Sequence, residues 1–208
     1  MATASAFDVL LFDLGGVLID FAGFEELSRL LPAGVSRDDV RARWISSPFV
    51  QRFERAEISP QEFARGVVQE MKLDLGPDEF ITAFVGWARR PYPGARSLLG
   101  RLRNSHLLAC LSNSNELHTP LHRRNIEPLM EKYYFSDELG LVKPDREIFE
   151  HVTRDLDVPP SRIAFFDDTA INVEAARDAG MAAYGVDGIV ELEAQLHQLR
   201  VLSRGRAP

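Results

Sequence analysis

Four short segments carry the side chains of this 208-residue chain that could do chemistry together. Phe12-Asp13-Leu14-Gly15-Gly16-Val17 sets a carboxylate at the end of an apolar run, with two glycines close behind. Taken alone, it reads either as a turn or as an exposed nucleophile. Ser112-Asn113-Ser114-Asn115 follows a second apolar run and reads as a helix cap, a phosphate clamp, or both. Lys143-Pro144 offers one cation, which in isolation is the mark of a solvated surface. Phe165-Phe166-Asp167-Asp168 places two adjacent carboxylates on a buried run. Unless they sit on a surface turn, such a pair is unfavourable without a cation to neutralise it, and an oxygen-rich site suits Mg²⁺.

Each segment stands where a strand should end. Short apolar runs at Phe7–Leu14, Leu107–Leu111, Tyr133–Phe135, Ile163–Phe166 and Ala182–Val186 alternate with helical patterns at about 94–104, 115–125, 145–156 and 170–179. That alternation predicts an α/β fold: a doubly wound, Rossmann-like parallel sheet with helices on both faces. Ligands bind such sheets outside the carboxyl ends of the strands, where the four segments would converge. A last helix from about Gly188 carries Leu192, Leu196 and Leu199 on one stripe, and Ser203–Pro208 reads as a frayed tail.

From Phe21 to Pro91 the pattern is helical and no strand is convincing. Phe63, Val67 and Met71 share a face after Ser59-Pro60, a cap and first-turn proline, and Phe80, Phe84 and Trp87 repeat the theme. Arg90-Pro91-Tyr92-Pro93-Gly94 reads as a stiff return to the sheet. The expected organisation is an α/β core of residues 1–20 and 92–208 with an all-helical cap, 21–91, inserted after the first strand.

Composition narrows the partners. The chain is 45% hydrophobic and 26% charged, with a formal charge of -7 and no basic stripe, which argues against nucleic acid. Cys110, the only cysteine, cannot form an intramolecular disulfide and reads as a buried apolar residue. Met1–Ala6 lack a basic segment followed by a separate apolar stretch, and Val9–Phe12 is too short to span a membrane. The expectation is a cytoplasmic protein without a membrane partner, monomeric or a homodimer.

The joint order of the four segments resembles the haloacid dehalogenase-like superfamily from Phe7 to about Leu199. Receiver domains use similar groups, but their acidic pair precedes the phosphorylated Asp, whereas here it comes last. The resemblance implies Mg²⁺-dependent phosphoryl transfer through a phospho-aspartyl intermediate on Asp13. It implies Asp13, Asp168 and the Gly15 carbonyl as metal ligands, with Asp167 in the same acidic shell. Ser112 and Asn113 would grip the phosphoryl oxygens, and Lys143 would neutralise them and orient Asp13. Asn172 stands where relatives often carry another Asp and could hold a metal-bound water.

One departure matters. Most phosphatases of the superfamily carry a second Asp two residues after the nucleophile, and it moves the protons of both half-reactions. Here that position is Gly15, which can move none. Asp20 is a candidate substitute, or else a polar linker residue. The α-glucose-1-phosphate phosphatase-like subgroup is similar in Phe-Asp-Leu-Gly at the first motif, in Phe53–Ser59 and in Leu111–His118. A small phosphorylated metabolite, a sugar phosphate, is the substrate this likeness implies. Two alternatives stay open: a 2-haloacid dehalogenase, which needs no acid, and a phosphate-binding relic without turnover. Trp44, Arg52, Phe53, Arg55 and Trp87 are the conspicuous side chains of the insertion, and His118 and His122 read as surface or core histidines without a zinc spacing.

Overall fold

The computed structural model describes residues 5–32, 34–126 and 129–202, so the Ser203–Pro208 tail lies outside the described residues. In chain order the strands are β1 (Val9–Phe12), β2 (Ile19–Phe21), β3 (Ala88–Pro91), β4 (Leu107–Ser112), β5 (Lys132–Phe135), β6 (Ile163–Asp167) and β7 (Ala182–Gly185). The helices of the insertion are α1 (Gly23–Leu30), α2 (Arg37–Ser46), α3 (Pro48–Glu54), α4 (Pro60–Met71) and α5 (Pro77–Val85). Those of the core are α6 (Ala95–Leu102), α7 (Thr119–Ile126), α8 (Ser136–Leu139), α9 (Arg146–Leu156), α10 (Ala170–Asp178) and α11 (Gly188–Gln198).

Five strands form one parallel sheet in the order β5-β4-β1-β6-β7. Strand alternation divides its side chains between two cores. Leu10, Phe12, Leu108, Cys110, Ala164 and Phe166 pack on one face with Leu98, Leu99 and Leu102 of α6 and Leu192 and Leu196 of α11. Val9, Leu11, Ala109, Leu111, Ile163 and Phe165 pack on the other with Ile148, Phe149 and Val152 of α9 and Val173 and Ala176 of α10. The expected doubly wound α/β sheet is the observed one. Because β1 lies between β4 and β6, the chain leaves it in opposite directions on its two sides, and a crevice opens above its carboxyl end.

The insertion has its own apolar core. Phe63, Val67 and Met71 are all buried, as are Phe80, Phe84 and Trp87. Phe53 stacks on Phe63 at 4.3 Å between ring centroids, and Trp44 meets Phe84 and Trp87. Ser59 and Glu62 form a reciprocal capping box before α4: Glu62 N–H donates to Ser59 Oγ at 3.3 Å and Ser59 N–H to Glu62 Oε2 at 2.9 Å. Among the described residues no helix is long and apolar enough to cross a membrane.

Two local expectations need correction. Phe21–Pro91 does contain strand: β3 pairs antiparallel with β2, placing Ile19 opposite Pro91 and Phe21 opposite Ala88. Ala-Arg-Arg-Pro has no β pattern of its own, so this pairing comes from both ends of the insertion meeting at one edge of the core. The helix expected over 115–125 starts later, at Thr119. The Asn115 side-chain carbonyl accepts from the N–H groups of Leu117 and His118, and this turn delays the helix.

Truncating Phe63 removes a fully buried ring from the centre of the insertion's core. Phe63→Ala is expected to lower the unfolding free energy by about 3–5 kcal/mol. Urea unfolding followed by fluorescence checks this, and an unchanged midpoint would contradict the packing described.

Candidate active site

Parallel register brings the four chemical segments together. Phe12 of β1 is level with both Cys110 of β4 and Phe166 of β6, so the residues that follow sit side by side at the strand ends. Asp13 N–H donates to the Phe166 carbonyl at 2.8 Å, which fixes its backbone beside Asp167. Asp13, Gly15, Ser112, Asn113, Lys143 and Asp168 all line one cavity of about 220 Å³ between core and insertion.

Lys143 is the hub. Its side chain is 1% exposed, and its Nζ lies 2.9 Å from Asp13 Oδ1 and 2.6 Å from Asp167 Oδ2. Asn113 clamps its backbone from both sides: Lys143 N–H donates to Asn113 Oδ1 at 2.8 Å, and Asn113 Nδ2 donates to the Lys143 carbonyl at 2.9 Å. Asp167 is buried and well supplied with donors, accepting from Lys143, from Thr169 N–H at 2.7 Å and from Asn172 Nδ2 at 3.1 Å. Asn172, expected near a metal-bound water, therefore spends its amide on Asp167.

Charge in the cluster does not balance. Asp13, Asp167 and Asp168 offer oxygens within 4.8 Å of one another. Facing them are Lys143 and Arg41, whose Nη2 reaches Asp168 Oδ2 at 2.7 Å from α2. Burial, opposed by Lys143 but reinforced by Asp167 and Asp168, pushes the Asp13 carboxyl up to about 7. Burial likewise raises Asp168, against the pull of Arg41. For Lys143 burial disfavours the ammonium, yet Asp13 and Asp167 outweigh it and hold its pKa above the ordinary value. With all three ionised, three carboxylates against two cations leave one negative charge, and a hard divalent cation with oxygen ligands fits that surplus.

The glycines fit as well. A Cβ on Gly16 would stand 2.6 Å from Asp168 Oδ2, and its φ of +78° is left-handed, so backbone passes against that carboxylate where no side chain could. Among the described residues no donor reaches the Gly15 carbonyl, which leaves it able to ligate a metal. The donor set able to hold Mg²⁺ is thus Asp13, Asp168 and the Gly15 carbonyl, with Asp167 in the same carboxylate group. Asp167 backs them by anchoring Lys143.

The remaining candidates separate clearly. Asp20 lies outside the cavity, half-exposed and 3.3 Å from Arg89, so it is not positioned to move protons for Asp13. Phe53 and Trp87 are packed into the insertion's core, and Arg52 makes a surface pair with Glu57 at 3.5 Å. Trp44 is in the same core but also borders the cavity. Arg55 borders it too and bridges to Asp145 of the core. His118 and His122 are buried, and burial lowers their pKa values to about 4 and about 3. His118 Nε2–H donates to the Phe84 carbonyl at 2.8 Å, whereas His122 Nδ1 has no partner among the described residues.

Sequence reasoning missed Arg41 and Glu54, both of which line the cavity from the insertion. Glu54 follows buried Val50 by four residues on α3, so its carboxyl shares an inward face, and that spacing was a usable signal. Nothing comparable marks Arg41.

A family model for the haloacid dehalogenase-like hydrolases matches residues 7–180. The D-ribitol-5-phosphate phosphatase of Bacteroides thetaiotaomicron is 26% identical over 184 residues, 84% of this chain and 89% of that protein. A phosphorylated carbohydrates phosphatase of Thermotoga maritima is 34% identical over 113 residues, 49% of this chain and 51% of that protein. Among solved structures, a haloacid dehalogenase family enzyme of Bacteroides thetaiotaomicron in complex with magnesium and inorganic phosphate superposes with a TM-score of 0.67. It is 27% identical, and the match covers 86% of this chain and 93% of that one.

Two substitutions probe the cluster. Lys143→Met leaves Asp13 and Asp167 facing each other without their cation, and is expected to cost about 3–5 kcal/mol of stability in EDTA. Urea unfolding measures it, and an unchanged midpoint would contradict the ion triad. Gly16→Ala should abolish Mg²⁺ binding measured by calorimetry; wild-type affinity would contradict the close approach to Asp168.

Proposed function

The chain belongs to the haloacid dehalogenase-like hydrolases, and from that premise we propose that it is a Mg²⁺-dependent phosphatase of a small phosphorylated metabolite, a sugar or sugar-alcohol phosphate. The observation that carries this is the buried Asp13–Lys143–Asp167 triad, which presents Asp13 and Lys143 to the cavity with Asp168 beside them. Binding alone does not require a carboxylate aimed into the crevice. A nucleophile does.

Mg²⁺ held by Asp13, Asp168 and the Gly15 carbonyl would neutralise the non-bridging phosphoryl oxygens during transfer. The free oxygen of Asp13 attacks phosphorus in line, and the phosphoryl group passes to its carboxylate. Lys143 favours the ionised form of Asp13 against burial and adds positive charge beside the transferred oxygens. Ser112 is buried at the cavity wall, and among the described residues its hydroxyl makes only a long 3.4 Å contact to the Asn113 carbonyl, so it can turn toward phosphate. Because the Asn113 amide holds Lys143, this residue offers phosphate its backbone N–H.

Residues 21–91 serve as a cap over this floor, closing the cavity and supplying Phe24, Arg37, Arg41, Trp44, Glu54 and Arg55 to its walls. Arginines and aromatic rings suit a polyhydroxylated phosphate ester. The relatives named for ribitol-5-phosphate and phosphorylated carbohydrates support the same substrate class.

A screen of sugar and sugar-alcohol phosphates, with p-nitrophenyl phosphate as a generic ester, tests the reading. Phosphate release is expected with Mg²⁺, to disappear in EDTA, to return on adding Mg²⁺, and to be lost almost completely in Asp13→Asn. Full activity of that variant would sink the nucleophile, and activity surviving EDTA would sink the metal.

A further inference from the structure

Gly15 leaves the proposed reaction without a proton carrier in the core, and the cavity holds few groups that could replace one. Asp145 is paired with Arg55, and Asp168 with Arg41. Asp187 is exposed at the rim. His118 and His122 are held neutral by burial. One acid is left over. Glu54, the last residue of α3, makes no ion pair among the described residues, although it lines the cavity.

We propose that Glu54 of the cap is the general acid and base of this enzyme, doing from above what a second Asp at position 15 would do from below. The inference rests on the phosphatase reading given above. Geometry ties Glu54 to the reacting groups in three steps. Its Oε2 accepts from Asn113 Nδ2 at 3.1 Å, the same Nδ2 donates to the Lys143 carbonyl at 2.9 Å, and Lys143 Nζ lies 2.9 Å from Asp13. One amide therefore registers the cap carboxyl against the nucleophile's own partner.

Its protonation fits the first task. Burial, opposed by Lys143 and the Asn113 hydrogen bond, reinforced by Asp13 and opposed again by Arg55, pushes the Glu54 carboxyl up to about 8. The protonated form is therefore favoured at neutral pH. As the bond between phosphorus and the ester oxygen breaks and the Asp13–phosphorus bond forms, that proton passes to the departing alkoxide. The resulting Glu54 carboxylate then takes a proton from water as its oxygen attacks phosphorus. Asp13 leaves as carboxylate, phosphate is released and Glu54 is protonated again.

Glu54→Gln keeps the shape and an oxygen for Asn113 but carries no exchangeable acid proton. With a sugar phosphate its kcat should fall about 10²-fold or more with little change in KM. With p-nitrophenyl phosphate, whose leaving group needs no acid, the first step should persist. A hydroxylamine-sensitive phosphoenzyme on Asp13 should then accumulate in acid-quenched samples, because water is no longer activated. Glu54→Asp retains a carboxyl and should recover part of the turnover. Equal losses on both esters without phosphoenzyme, or wild-type kcat on the sugar phosphate, overturns the assignment of Glu54 alone. If wild type hydrolyses no ester with Mg²⁺ and no variant traps a phosphoenzyme, the phosphatase reading falls and this one with it.

Discussion

A buried ammonium between two carboxylates is the constraint on which the rest of the site depends. Lys143 is almost wholly out of water, so its charge is tolerable only because Asp13 and Asp167 stand within hydrogen-bond distance. Their charges, in turn, are tolerable there only because of Lys143. Mutual dependence of this kind fixes β1, the loop after Val142 and the end of β6 to one another more tightly than packing alone. Asn113 completes the lock by holding the Lys143 backbone from β4's side. Asp13, the proposed nucleophile, is thus oriented by three separate stretches of chain.

Much of this was legible in the sequence because local signals and tertiary role coincide. A strand buried on both faces is an apolar run, and an Asp or Ser directly after it must lie at the sheet's edge, so β1, β4 and β6 and their terminal residues could be read directly. Fourfold spacing gave α4 for the same reason. The β2–β3 ribbon was illegible because Ala88-Arg89-Arg90-Pro91 has no strand chemistry and is paired only because of where the chain must cross. Glu54 and Arg41 were harder to place as site residues for a related reason. The inward face of Glu54 can be read locally and nothing marks that of Arg41, but what either meets is decided by how the insertion lies on the core. Asn172 shows the converse, since its position suggested metal chemistry and the geometry spends its amide on Asp167, which itself stays within the group of carboxylates able to hold a metal.

Polar contacts between the insertion and the core are concentrated at the crevice. Arg41 reaches Asp168 and Thr169, Arg55 reaches Asp145, and Glu54 meets Asn113. Each joins a residue of α2 or α3 to the loop after a core strand or to the segment around Lys143. Such contacts are individually modest and easily exchanged for water, unlike the apolar clusters within either layer. Beside them, the buried His118 ring packs on Phe84 and donates to its carbonyl, so the joint between the layers at the crevice is part polar and part apolar.

The ribbon at the base of the insertion also bears on how such enzymes diversify. Tyr92 N–H donates to the Leu18 carbonyl at 2.9 Å, so the chain returns to the core one hydrogen bond from where it left. To the sheet, everything between those residues is the loop of a hairpin, and loops so closed tolerate replacement and lengthening without altering what lies beneath. Recognition of the organic part of an ester can then drift by exchange of a module while the phosphate floor is inherited unchanged. Where the proton donor also rides on that module, a new leaving group and the acid matched to it arrive in the same genetic event.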